Sequence, residues 1–150
     1  RALPAVPTEM IQPVSAKLWA SSRPLAARCL HHPFVLRLAS GSLPRDSFRA
    51  YIAQDAFFLK AFAQAYALAL SRADTTHGIS ELSSLIGGVV DELSLHRSYV
   101  AKWDVNIDAV EPNPATTAYT TFLLELARSD VPVAVVLAAM TPCMRLYAYL

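Results

Sequence analysis

Three short stretches hold side chains able to do chemistry. In the first, Tyr51, Asp55, Phe58 and Phe62 recur at spacings of four, three and four residues, so a helix would align them in one stripe, aromatic except for a single carboxylate. Burying an unpaired carboxylate is costly, so Asp55 is either paired within the protein or kept for a ligand that brings its own donors. In the second, the terminal segment TPCMRLYAYL places Cys143 directly after Pro142 and one turn before Tyr147, so that a thiol and a phenol share a helix face. A free cysteine is a small apolar plug as readily as it is a nucleophile. The thiolate is the reactive form, and no neighbour in the sequence promotes it, since Arg145 lies on another face; an activating group has to come from elsewhere in space. In the third, Val89, Leu93, His96, Val100 and Trp103 form a core-facing stripe, with Glu92 one turn before His96. A structural histidine partnered by Glu92 is the favoured reading of that pair. His31 and His32 fall at a helix junction, as caps or surface residues, and His77 reads as loop.

Composition limits what these residues can serve. The 150 residues suit one domain with one core, and 54% hydrophobic against 17% charged is more apolar than such a domain needs. With a mean hydropathy of +0.33, some of that surface is expected to face the rest of a longer chain, a sister subunit or a bilayer. Thirteen basic and twelve acidic residues are scattered without a basic patch, which argues against nucleic acid. Two cysteines, Cys29 and Cys143, without CxxC spacing or a Cys/His cluster, argue against a zinc site and a disulfide framework and suggest a reducing compartment. No metal and no organic cofactor is expected. Val131–Leu150 carries one charge in twenty residues, but Pro132, Pro142 and Arg145 interrupt it, and a charge that deep in a bilayer costs about 2.5 to 3.5 kcal/mol. A buried core helix is favoured over a membrane span. Arg1 to Met10 has two prolines and no apolar segment, so it does not read as a signal peptide.

The elements that must position the chemistry are all helical. Only four glycines occur, no alternating segment is flanked by hairpin turns, and prolines sit at helix starts. Helices are expected from Thr8 to Leu30, from Pro33 to a left-handed stop at Gly41, from Pro44 to about Arg72, from about Gly78 to Trp103, from Asn113-Pro114 to Arg128, and from near Asp130 onward. Pro142 removes a backbone N–H and crowds the carbonyl of Ala138, so a bend or opening is expected beside Cys143. Long helices with short loops predict an antiparallel all-α bundle. The last helix has no glycine stop and ends on an apolar residue, which suggests a bundle lacking its C-terminal helices.

Phe48–Leu59 (FRAYIAQDAFFL), Ala118–Leu123 (AYTTFL) and Thr141–Tyr147 (TPCMRLY), in this order and spacing, together resemble the TenA, or thiaminase II, family of thiamin salvage. The terminal segment is most similar to the plant bifunctional members, in which a haloacid-dehalogenase-type phosphatase domain follows. The resemblance implies a haem-oxygenase-like helical fold and hydrolysis of 4-amino-5-aminomethyl-2-methylpyrimidine, and of its N-formyl precursor in plant members, to the hydroxymethyl pyrimidine with release of ammonia. It implies that Cys143 is the catalytic thiol and that Asp55 holds the amino group and a ring nitrogen of the pyrimidine. Phe58, Tyr119, Tyr147 and Tyr51 are then the expected substrate contacts. Where many members of the family have a tyrosine, this chain has Phe58, which keeps a stacking surface and loses a hydroxyl. The family's acid–base glutamate and a further pocket tyrosine fall beyond Leu150. A homo-oligomer, dimer or tetramer, is the expected assembly; the cytoplasm is the expected location, with mitochondrion or plastid as organellar alternatives. The rival reading is a non-catalytic helical binding or oligomerisation module built on the same fold.

Overall fold

The computed structural model describes residues 13–101 and 111–150, and within them the chain forms six helices and no strand. They are α1 (Val14–Leu30), α2 (Pro33–Ala39), α3 (Arg45–Leu70), α4 (Thr76–Val100), α5 (Pro114–Arg128) and α6 (Val133–Tyr147). The all-α bundle expected from the sequence is therefore the observed class. Thr8 as first cap and Trp103 as the end of the fourth helix lie outside the described residues.

Local chemistry explains most of the boundaries. The His32 imidazole accepts from the Phe34 N–H and opens α2, with Pro33 in the first turn, where its missing N–H costs nothing. At the other end Gly41 has φ +71°, its N–H bonds Leu38 O at 3.1 Å, and Ser42 N–H bonds Arg37 O at 2.9 Å. This is a Schellman stop, and it requires the left-handed conformation that glycine adopts freely. Thr75 Oγ1 accepts from Gly78 N–H to start α4, and Asn113 Oδ1 accepts from Thr116 N–H to start α5. His77 is therefore in the first turn of α4 rather than in a loop, because Thr75 caps the helix and it begins at Thr76, two residues before Gly78. Pro44 and Pro132 stand at the N-caps of α3 and α6. Pro142 does not end α6, which continues to Tyr147; the Thr141 hydroxyl bonds Leu137 O at 2.7 Å in the same turn.

At 1.5 Å per residue, the 26 residues of α3 run about 39 Å, and this helix is the axis on which the others are arranged. It packs chiefly against α4 and α5, and also against α6, while α5 and α6 pack on each other. Ala56, Ala65 and Ala69 are fully buried on α3, and such small side chains let the neighbouring backbones come close. Around them Phe62, Leu123, Val136 and Met140 form the largest fully buried side chains of the core. Gln54 fastens the start of α5 to α3: its Nε2 donates to Glu111 O at 3.0 Å, and its Oε1 accepts from Asn113 N–H and from Thr116 Oγ1, both at 2.9 Å. At the far end Arg72 Nη1 donates to Ser129 O and Val131 O at 2.9 and 3.0 Å, which fixes the turn from α5 into α6. Trp19 of α1 meets Tyr149 edge-on at 5.3 Å and carries the Arg145 guanidinium 4.7 Å above its ring. These contacts attach α1 to the end of α6.

Candidate active site

Four helices contribute to one cluster. The α3 stripe supplies Tyr51, Asp55 and Phe58, α4 supplies Glu92 and His96, α5 supplies Tyr119, and α6 supplies Cys143 and Tyr147. Tyr147 Oη lies 2.9 Å from Tyr51 Oη and donates to Asp55 Oδ1 at 3.4 Å. The other carboxylate oxygen, Oδ2, faces His96 Nε2 at 3.4 Å. Phe58 stacks on Tyr119 at 5.3 Å with the planes 26° apart, and on its other side meets Phe62 at 5.1 Å. Tyr51 leans on Phe34 and Phe48 at 5.3 and 6.1 Å. Cys143 is half-buried against the core. Its thiol is close enough to Tyr51, Tyr66, Tyr119 and Tyr147 to influence the ionisation of each. Two surface hollows, one lined by Leu38, Gly41 and Phe48 and one by Ser71, Arg72 and Ser129, lie elsewhere and include none of these residues.

The electrostatics follow from burial with few compensating charges. Burial, then the Glu92 carboxylate, pushes Asp55 up to about 6, against the lowering effect of the Tyr147 hydrogen bond. Burial depresses His96, and Glu92 opposes that only in part. Both members of the Asp55–His96 pair are thus driven towards their neutral forms. Burial, and then the charges of Asp55 and Glu92, push the Cys143 thiol up to about 11, so the free protein holds a thiol and not a thiolate. Tyr147 is raised for the same first two reasons, burial and Asp55, and stays a phenol. The activating group that the sequence did not supply for Cys143 is not supplied by these neighbours either, because the nearby charges are negative.

Every residue proposed for the site from sequence is in this neighbourhood. Cys29, His31, His32 and His77 are not; Cys29 is a second free thiol, in α1, and His31 caps its own helix by bonding Ala27 O at 2.7 Å. The reading of His96 needs correction. It is buried, as its stripe predicts, but the side chain that approaches it is Asp55 of α3, while Glu92 is exposed and acts on it by charge. Its Nδ1 is buried without a partner among the described residues, so within them it is not a fully satisfied core histidine. Sequence spacing contained no cluster of metal ligands, yet the fold brings one donor each from Asp55, Glu92 and His96 within 4.8 Å of one another, a spacing that one cation could bridge. Gln54 was missed altogether; a glutamine one position before Asp55 on a core-facing helix was its only signal.

The fold is a helical bundle with a carboxylate and a half-buried thiol in one aromatic neighbourhood. The chain belongs to the TENA/THI-4/PQQC family, whose sequence model matches residues 19–150. It is 40% identical to the bifunctional TH2 protein, mitochondrial, of Arabidopsis thaliana, over 97% of this chain and 27% of that protein. It is 29% identical to an aminopyrimidine aminohydrolase of Halalkalibacterium halodurans, over 86% of this chain and 59% of that one. Among solved structures, the TenA homologue protein from P. horikoshii OT3 superposes with a TM-score of 0.81 at 29% identity, over 90% of this chain and 64% of that chain. The chain therefore spans about a quarter of the plant relative and about three fifths of the hydrolase.

Proposed function

We propose that this chain belongs to a thiamin-salvage hydrolase that releases ammonia from 4-amino-5-aminomethyl-2-methylpyrimidine, and from its N-formyl precursor after loss of the formyl group, with Cys143 as nucleophile and Asp55 as substrate anchor. The observation that carries this reading is a single carboxylate on an otherwise aromatic stripe, Asp55, whose Oδ1 accepts from the Tyr147 hydroxyl and whose Oδ2 faces His96 Nε2. A flat heterocycle with an amino group beside a ring nitrogen offers two parallel donors once that nitrogen is protonated, and a carboxylate accepts both. Phe58 and Tyr119, already stacked on each other, provide the aromatic wall, and Tyr51 and Tyr147 provide hydroxyls.

The chemistry replaces an exocyclic amine with a hydroxyl, with water as the other reactant and no change in oxidation state. Cys143 Sγ adds to the pyrimidine ring and its proton passes to the leaving amine. The C–N bond breaks with the ring's displaced electron pair, ammonia departs, and the ring is left with a C–S bond and an exocyclic double bond. Water then adds to the exocyclic carbon, the C–S bond breaks, aromaticity returns, and the water's second proton restores the thiol. A substrate that neutralises Asp55 removes one of the charges that hold Cys143 protonated, so binding itself favours the nucleophile. Preorganisation by Asp55 reduces the entropic cost of bringing sulfur and ring together. The name of the plant relative supports a mitochondrial site of action, and that of the bacterial relative supports the hydrolysis.

The test is ammonia release from the aminomethyl pyrimidine by the full-length protein, with the hydroxymethyl product identified by mass spectrometry. Absence of both turnover and binding would reject the proposal. A second reading, as an assembly module, draws on Val14, Leu18 and Leu25, which stand 72%, 60% and 61% exposed along α1. A protein that oligomerises but neither binds nor hydrolyses the pyrimidine would favour it.

A further inference from the structure

We infer that His96 is the positioning residue of Asp55, fixing the plane in which the carboxylate meets its ligand. This rests on the aminopyrimidine reading of the site and adds to it a residue that acts through the anchor and does not touch the substrate. An aspartate's terminal torsion is broad and roughly two-fold, so a carboxylate with one neighbour can turn away from a bidentate ligand. Tyr147 holds Oδ1 only, and that oxygen is also the one shared with a hydroxyl already engaged by Tyr51. Oδ2 has His96 Nε2 as its neighbour, at 3.4 Å. The two side chains are 10% and 6% exposed, so water cannot readily replace either one for the other.

His96 is also held in place. It follows Val89 and Leu93 on the core face of α4, where Val89 is buried and Leu93 packs against both buried clusters of the bundle. Its Nδ1 has no partner among the described residues, so the single proton of the neutral ring has one useful destination there, Nε2, where it can be donated to Oδ2. A histidine present only for packing would have no reason to aim its one donor at the only carboxylate of the α3 stripe. The 3.4 Å approach is long for a finished hydrogen bond, and catalytic contacts of this kind commonly tighten when the ligand is bound.

The experiment compares full-length wild type with His96→Leu, His96→Gln and His96→Asn. It measures KM and kcat for ammonia release, the Kd of the hydroxymethyl pyrimidine by calorimetry, and thermal melting. Loss of a hydrogen bond to a charged group is expected to raise KM and Kd about tenfold or more in His96→Leu, with kcat changed about threefold at most. The amide N–H of Gln reaches the place of Nε2, so His96→Gln is expected to return to within about threefold of wild type, whereas the shorter Asn amide does not. A merely structural histidine would lower the melting temperature and leave the KM of the folded protein alone. Unchanged KM and Kd in folded His96→Leu would overturn the assignment. If His96→Leu does not fold, equal affinities in the Gln and Asn variants overturn it instead, and a weaker Asn variant supports it. A wild type that neither binds nor hydrolyses the pyrimidine refutes the hydrolase reading and His96's role with it. A wild type that does both while every His96 variant matches it refutes the His96 assignment alone.

Discussion

The phenol oxygens of Tyr51 and Tyr147 stand 2.9 Å apart, although 96 residues separate them in the chain. Tyr147 passes the contact on to Asp55, and Asp55 faces His96, so one polar line runs from α3 to α6, back to α3 and on to α4, from the half-exposed Tyr147 to the buried His96. At its buried end, Asp55 and His96, the line is stable only while its members satisfy one another, which makes both sensitive to substitution.

Tyr147→Phe keeps the ring and removes the one hydrogen bond that lowers Asp55. Asp55 should then titrate above its present value of about 6. Under the proposed function the carboxylate form binds substrate, so the acid limb of the kcat/KM profile should move to higher pH, on the order of half a unit. A limb that stays where it is would mean that Asp55 is not the group titrating there.

Asp55→Asn should separate stability from binding. The Asp55 carboxyl lies at about 6 in the folded protein, against an ordinary value of 3.8, so ionising it opposes folding. That penalty is absent below 3.8, grows as the pH rises towards about 6, and is complete above it. Its size is on the order of 2 to 3 kcal/mol. The ligand-free Asn variant should therefore melt a few degrees higher than wild type at pH 7.5, with the difference shrinking as the pH falls through 6 towards 4. Calorimetry should show its affinity for the pyrimidine reduced at least about tenfold, since an amide offers one acceptor where a carboxylate offers two. A variant less stable than wild type at pH 7.5 would show that Asp55 holds the bundle together and does not strain it.

Cys143 should alkylate slowly in the free protein. With the thiol pushed up to about 11, its rate with iodoacetamide should rise about tenfold for each pH unit between 7 and 10, followed peptide by peptide in a mass spectrometer. A plateau near neutral pH would reveal an activating group that this environment lacks. Cys143→Ala should abolish ammonia release and leave the helical circular dichroism unchanged.

Gln54→Ala removes three hydrogen bonds that join α3 to the start of α5. The expected cost is roughly 2 kcal/mol in urea unfolding, because part of the freed backbone becomes hydrated. Tyr119 rides on α5, so KM should rise as well, and an unchanged KM would mean that α5 keeps its place without this tie.

The helices and their stripes were legible because they depend on neighbours within a few residues. Asn113-Pro114 starts α5 and Gly41 ends α2 where the sequence says they should, since a cap or a positive φ is a local requirement. His77 was misjudged, because the cap at Thr75 begins α4 earlier. α6 runs on through Pro142 to Tyr147 with its faces packed against α3 and α5. Resemblance to a family then singled out Asp55 and Cys143, which composition and spacing had left open between structural and chemical roles.

By itself, then, the sequence determined the helices, the core faces and the family, all properties of residue type and order. Only the tertiary structure decided that Asp55 meets His96 and not a ligand alone, that Glu92 acts through its charge, and that Cys143 is surrounded by negative and phenolic groups. Those are relations between helix faces, and which faces meet is set by packing across the whole bundle, where small alanines on α3 let α4, α5 and α6 close around one carboxylate.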